Sequence, residues 1–239
     1  MQVGDSVGLG SQRAELVGDQ VIGVTAHDQD GYLVAQLRDS QLILLEYDSR
    51  NQLRFSRPLN TFLRETEPKN YGEITLPLPM LVQRGHLYIA WGSRLLEIGP
   101  SLSAATPPLL PTSGVGPKVT ELPRQITGLI GSPAHASPCM VITCDMGAQL
   151  IYPLSRTIAP QAFAQGLENP QVCFLRSGHI IAVGSGVLQV YRSIHGKLEL
   201  EYAESMSEEA CQVVASPDCG CFAVLYYNGD IEVFGTTGE

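Results

Sequence analysis

Gly4-Asp5-Ser6-Val7-Gly8 matches the GxSxG pattern of a serine nucleophile elbow. That elbow is a sharp strand-to-helix turn that lifts the hydroxyl above a sheet, where a His base and an orienting acid must meet it. No strand precedes Ser6 and no helical pattern follows it, so no nucleophilic role is expected. His27-Asp28-Gln29-Asp30-Gly31 sets two carboxylates two residues apart before a glycine, as oxygen-rich Ca²⁺ loops do. Taking Gly31 as the loop glycine puts Ala26 and Leu37 at the first and last ligand positions, and neither side chain has an oxygen. A turn between two strands is the expected reading.

Cys219-Gly220-Cys221 offers two sulfurs, but zinc needs a second pair at ligand spacing, and neither Cys211 nor Cys139 and Cys144 completes a set. Packed or free thiols are expected, because buried Cys acts as a small hydrophobe. Gly114-Val115-Gly116-Pro117-Lys118 lacks the spacing of a phosphate loop, and its proline removes an amide donor. The five histidines fall at expected strand starts or turns. His86 and His179 each follow the glycine that opens a hairpin, which predicts one structural part played twice. No catalytic residue, metal site or cofactor is expected.

The elements that would position these groups are short strands. Hydrophobic residues make up 44% of the 239 and charged residues 16%, which suits a packed domain rather than a disordered chain. With 24 Gly and 16 Pro the chain has turns enough for an all-β protein. Gly31–Asp48 reads as two β-type runs around a polar turn at Arg38-Asp39-Ser40. The same grammar recurs from Gly85, Pro138, Gly178 and Gly220, and Asn228-Gly229 is the strongest short-range hairpin signal. The opening residues are 54, 53, 40 and 42 apart, close to the ~40–50 residues of a propeller blade.

Before each hairpin lies another apolar run: Val21–Ala26, Met80–Gln83, Ile126–Ile130, Val172–Leu175 and Cys211–Ala215. These are expected to be innermost strands. More polar segments after some hairpins, such as Gln52–Ser56 and Lys197–Tyr202, suit solvent-facing outer strands. Pro58–Leu78 and Ser101–Leu122 are read as long connections on the faces or rim.

The predicted fold is therefore all-β: a single propeller domain over 1–239, of about five four-stranded blades. Its units lie near 21–59, 80–110, 125–165, 170–203 and 209–235. The last unit ends without an outer strand, and the segment 2–17 is expected to supply it and close the ring. A fragment of a larger propeller, or a β-sandwich of similar strand count, is the competing architecture.

Ala215-Ser216-Pro217-Asp218, Gly220 and the hairpin after it resemble the strand-turn-strand stretch of WD40-type repeats. The resemblance is strongest over 209–235. No Trp-Asp ending is present, and the lone Trp91 sits mid-hairpin, so the Asp–His network of WD40 blades does not carry over. What the resemblance implies is a protein-interaction platform rather than an enzyme. Small propellers like it occur in bacterial systems that also encode a MoxR-type AAA+ ATPase and a von Willebrand A protein, which implies an accessory role there. The exposed-aromatic candidates for partner binding are Tyr71, Trp91, Tyr226 and Tyr227, with cross-strand packing as the competing role.

The alternative function is a glycoside hydrolase or sugar-binding propeller with its site at the channel mouth. Glycoside hydrolysis needs paired carboxylates. The expected inner strands contain neither Asp nor Glu, so both acids would have to come from loops, such as Asp28, Glu73, Glu168 or Asp218. A net charge of -9 and a pI near 5.0 argue against nucleic-acid backbones as partners. The longest apolar stretches, Leu42–Leu45 and Ile180–Val183, are too short to span a bilayer. With no basic or apolar leader at Met1–Asp5 and six scattered cysteines, a reduced, cytoplasmic protein is expected.

Overall fold

The computed structural model describes residues 20–27, 31–38, 41–58, 76–99, 118–133, 139–153, 158–194 and 197–235. Among them there are nineteen strands in five antiparallel sheets, and no helix. The first sheet is β1 (Gln20–His27), β2 (Gly31–Arg38), β3 (Gln41–Asp48) and β4 (Leu53–Pro58). The second is β5 (Met80–Gln83), β6 (His86–Trp91), β7 (Arg94–Ile98) and β8 (Lys118–Glu121). The third is β9 (Ile126–Gly131), β10 (Met140–Cys144), β11 (Met146–Ile151) and β12 (Gln161–Glu168). The fourth is β13 (Gln171–Phe174), β14 (His179–Gly184), β15 (Val187–Ile194) and β16 (Lys197–Ser205). The fifth has three strands, β17 (Ala210–Ala215), β18 (Cys221–Tyr226) and β19 (Ile231–Gly235).

Every sheet is a meander in chain order, and successive sheets pack face to face. Contacts run from β1 to β5, β5 to β9, β10 to β13 and β13 to β17. The apolar runs expected innermost are thus among the strands by which neighbouring blades meet, together with hairpin strands such as β10. Successive side chains of a strand point to opposite faces, so a strand between two neighbours must be apolar throughout. In β14, Ile180 and Ala182 join the cluster shared with the third sheet, while Ile181 and Val183 join the cluster shared with the fifth. Leu87 and Ile89 likewise face the first sheet, and Tyr88 and Ala90 face the third. Each such buried Leu, Ile or Val side chain contributes roughly 1.5–3 kcal/mol of transfer free energy.

Backbones approach closely where blades meet. A Cβ on Gly23 would lie 2.8 Å from the Leu78 carbonyl oxygen and 2.9 Å from Met80 Sδ, so only glycine fits there. The last hairpin also depends on a glycine. Gly229 N–H donates to the Tyr226 carbonyl at 3.0 Å, Tyr226 N–H donates to the Asp230 carbonyl at 2.9 Å, and Gly229 sits at φ +90°. This is a turn closed by a glycine bulge, and the Asn228-Gly229 signal marks it.

One expectation meets a different outcome, and one falls on residues that are not described. The outer strand of the second blade, β8, lies inside the segment read as a loop. Three of its four residues are polar, and Val119 beside Leu96, Arg94 with Glu121 (3.2 Å) and Lys118 with Glu97 (3.4 Å) hold it. The segment 2–17, expected to close the ring, lies outside the described residues. Among those described, no strand is paired on the outer edge of β19, and no apolar cluster joins the fifth sheet to the first.

Candidate interaction surface

The groups that could do chemistry serve turns and strand edges. His179 Nδ1 lies 2.6 Å from Ser177 Oγ, and its Nε2 lies 2.8 Å from Glu201 Oε2. This chain ties the β13–β14 turn to the outer strand β16. His86, at the same point of its own blade, reaches Glu97 at 3.2 Å. The two histidines therefore share a position and a carboxylate partner, although Glu97 is on a third strand and Glu201 on a fourth. Asp218 accepts from Ser216 Oγ at 2.6 Å and from Gly220 N–H at 3.1 Å, and these bonds hold its carboxyl below the usual range. It is a turn residue of the stretch that resembles a WD40 repeat.

Burial pushes the thiols of Cys139 and Cys144 up, and that of Cys173 to about 12, which suits packed and unreactive sulfur. Among the described residues, no three His, Cys, Asp or Glu side chains group as metal ligands. A cavity of about 370 Å³ beside the third blade is lined by Arg124, Gln149, Phe163 and Gln165 among others, and Arg124 faces Asp145 at 3.7 Å. The five inner strands carry no carboxylate. Of the loop acids that sugar chemistry would need, Asp28 and Glu73 lie outside the described residues, and Asp218 is held by its turn.

The four aromatic candidates part company. Tyr71 lies outside the described residues. Trp91 is 3% exposed and packs with Leu87 and Ile89 in the cluster between the first two sheets, so it is a core residue. Tyr226 is 7% exposed, and its hydroxyl donates to Glu232 Oε2 at 2.7 Å. Burial first, then that hydrogen bond and the charges of Glu232 and Glu204, push its phenol up to about 12. Tyr227 is 73% exposed. The adjacent tyrosines thus divide between core and solvent.

Around Tyr227 lies a surface that the aromatic candidates alone do not reveal. Ile231 and Val233 on β19 are each 67% exposed, and Val214 on β17 is 51% exposed. Register puts Ile231 beside Leu225, and Val233 and Val214 on either side of Ala223, all on the face turned away from the fourth sheet. The stretch of chain that carries this apolar row is strongly acidic. Residues 197–235 hold eight carboxylates (Glu199, Glu201, Glu204, Glu208, Glu209, Asp218, Asp230, Glu232) against the single Lys197, which is seven of the chain's nine net negative charges. Among the described residues, only Glu201 of the eight meets a basic side chain, that of His179. The charge clustering was readable from the sequence, whereas the exposure of the valines and isoleucine was not.

No protein-family model matches the sequence, and no curated protein matches it. Solved structures do. The chain superposes over 91% of its length on 61% of Kluyveromyces lactis Hsv2, with a TM-score of 0.58 and 11% identity. It superposes over 90% of its length on 55% of the C-terminal WD40 domain of Sif2, with a TM-score of 0.60 and 9% identity. The fold is a WD40-like β-propeller. A third propeller, BBS1N solved in complex with ARL6DN, gives a TM-score of 0.57 at 12% identity, covering 90% of this chain and 64% of that one. At these identities the likeness establishes the fold alone. The chain spans less than two thirds of each of these three structures.

Proposed function

We propose that this propeller is a non-catalytic scaffold that holds other proteins, and that the outer surface of the fifth blade is where it holds them. The observation that carries this reading is the row of Val214, Ile231 and Val233 standing in solvent on one face of the fifth sheet, in an acidic stretch of chain that also carries the exposed Tyr227. An exposed apolar patch rimmed by polar residues marks an interaction site, and tyrosine is enriched among residues that dominate binding. The fold fits such a role, and a propeller of like fold, BBS1N, is solved with a protein partner. Within this reading Tyr227 is the aromatic anchor.

We place the scaffold in the cytoplasm, which its six free thiols suit. We assign it as an accessory of a bacterial MoxR-type ATPase and von Willebrand A pair, an assignment that the propeller fold alone supports. The test is affinity capture from native lysate, comparing the parent chain with a Tyr227→Ser, Ile231→Ser variant. The expected result is a discrete protein retained by the parent and lost by the variant, with the ATPase or its von Willebrand A partner in that fraction. Retention of no protein by the parent chain removes the scaffold reading. Retention of an unrelated protein removes only the ATPase assignment.

A further inference from the structure

Among the described residues the fifth sheet has one strand fewer than the other four. Tyr226 and Asp230 form a hydrogen-bonded pair, so by antiparallel alternation Val224 bonds Glu232, and the N–H and C=O groups of Ile231, Val233 and Gly235 point away from β18. None of these edge groups has a strand partner among the described residues. An edge of this kind is a template for one more strand. Natural edges are blunted by lysine, proline or bulges, and β19 has none of these along Ile231–Gly235.

The two faces of β19 specify what an added strand must carry. On the far face, Ile231 and Val233 continue the apolar row of Leu225, Ala223 and Val214. On the near face, Glu232 accepts from Tyr226, and Glu204 on β16 is close enough to act on the same phenol. Neither carboxylate has a basic partner among the described residues. A strand alternates its side chains between faces, so one paired on β19 would set every second residue on apolar surface and the others beside carboxylates.

We propose that β19 is the docking edge for a strand of a partner protein in which Lys or Arg alternates with apolar residues, completing the blade in trans. This rests on the scaffold reading above and names its partner chemistry. Main-chain hydrogen bonds would supply affinity, and the alternating side chains specificity. A second copy of the chain is a poor occupant, since edge-to-edge pairing of two β19 strands would bring Asp230 and Glu232 against their own kind. The segment 2–17 is also mismatched in charge, with Arg13 against Asp5 and Glu15.

The test uses the full chain and two short peptides, one alternating Lys with Val and the other Glu with Val, with binding read by fluorescence anisotropy. The Lys-Val peptide is expected to bind in a salt-sensitive way, and the Glu-Val peptide not to bind. Val233→Pro removes one outward N–H at an edge position that tolerates proline, and is expected to weaken binding roughly tenfold. Glu232→Lys should shift preference toward the Glu-Val peptide, a gain that an unfolded chain could not produce. Equal binding of both peptides, binding of neither, or indifference to Val233→Pro overturns the proposal. So does Lys-Val binding that is seen only after residues 2–17 are deleted, because the chain's own segment then fills the edge. If the lysate partner is held equally by the Val233→Pro chain, the edge proposal fails and the scaffold reading stands.

Discussion

Ile181-Ala182-Val183 in the fourth blade and Ile231-Glu232-Val233 in the fifth put the same two aliphatic side chains at the same strand spacing. In β14, Ile181 and Val183 are buried against Val224 and Phe222 of the next sheet. In β19, Ile231 and Val233 stand in solvent, because no sheet covers that face among the described residues. Apolar character alone therefore does not make a core residue here; the presence of a neighbouring blade does. The residue between the two aliphatics records the difference. Ala182 turns to a second packed interface, whereas Glu232 turns to Tyr226 at the rim of a single one.

The comparison is most easily broken by truncating one residue of each pair. Ile181→Ala should cost about 2–5 kcal/mol in urea unfolding, since it leaves a cavity between two sheets. Ile231→Ala should stay within about 0.5 kcal/mol of the parent. Similar losses at the two sites would show that β19 is covered in solution.

The far face of the first blade sharpens the contrast from the other end. There Val34 and Leu45 are buried, and Gln36 is wholly enclosed with neither amide atom hydrogen-bonded among the described residues. Replacing an unpartnered buried amide by an apolar side chain of similar shape removes its desolvation penalty, so Gln36→Met should stabilise the chain by roughly 1–2 kcal/mol. Destabilisation of that size would show that the amide is satisfied.

A smaller effect is expected at high pH. Tyr226 is protonated up to about 12 in the folded chain, above its ordinary value of 10.0. Its contribution to stability is therefore present in full below pH 10 and is lost as the pH climbs from there toward 12. Comparing the parent with Tyr226→Phe by urea unfolding at about pH 9 and about pH 11 isolates it, and the parent should lose more stability over that interval. An equal loss in both chains would place Glu232 and Glu204 farther from the phenol.

Much of the fold was legible because inner and hairpin strands packed on both faces must be continuous apolar runs. Met80–Gln83 and Ile126–Gly131 stand out in the sequence for that reason. Lys118–Glu121 does not, since a short polar strand held by two ion pairs looks like the loop around it. Trp91 was legible in principle, because Leu87, Ile89 and Trp91 recur with period two and must share a face. The docking edge was half legible. The pile-up of acids over 197–235 is plain in the sequence, but apolar alternation in Ile231–Phe234 reads the same whether or not a further sheet lies beside it.

The most direct test of the proposed docking edge is amide hydrogen exchange of the unliganded chain, read residue by residue by NMR. The amides of Ile231, Val233 and Gly235 should exchange at the earliest times, while those of Glu232, Val224 and Val183 remain protected. Protection of Ile231, Val233 and Gly235 equal to that of Val224 would mean that a strand already occupies the edge of β19, and would contradict the account.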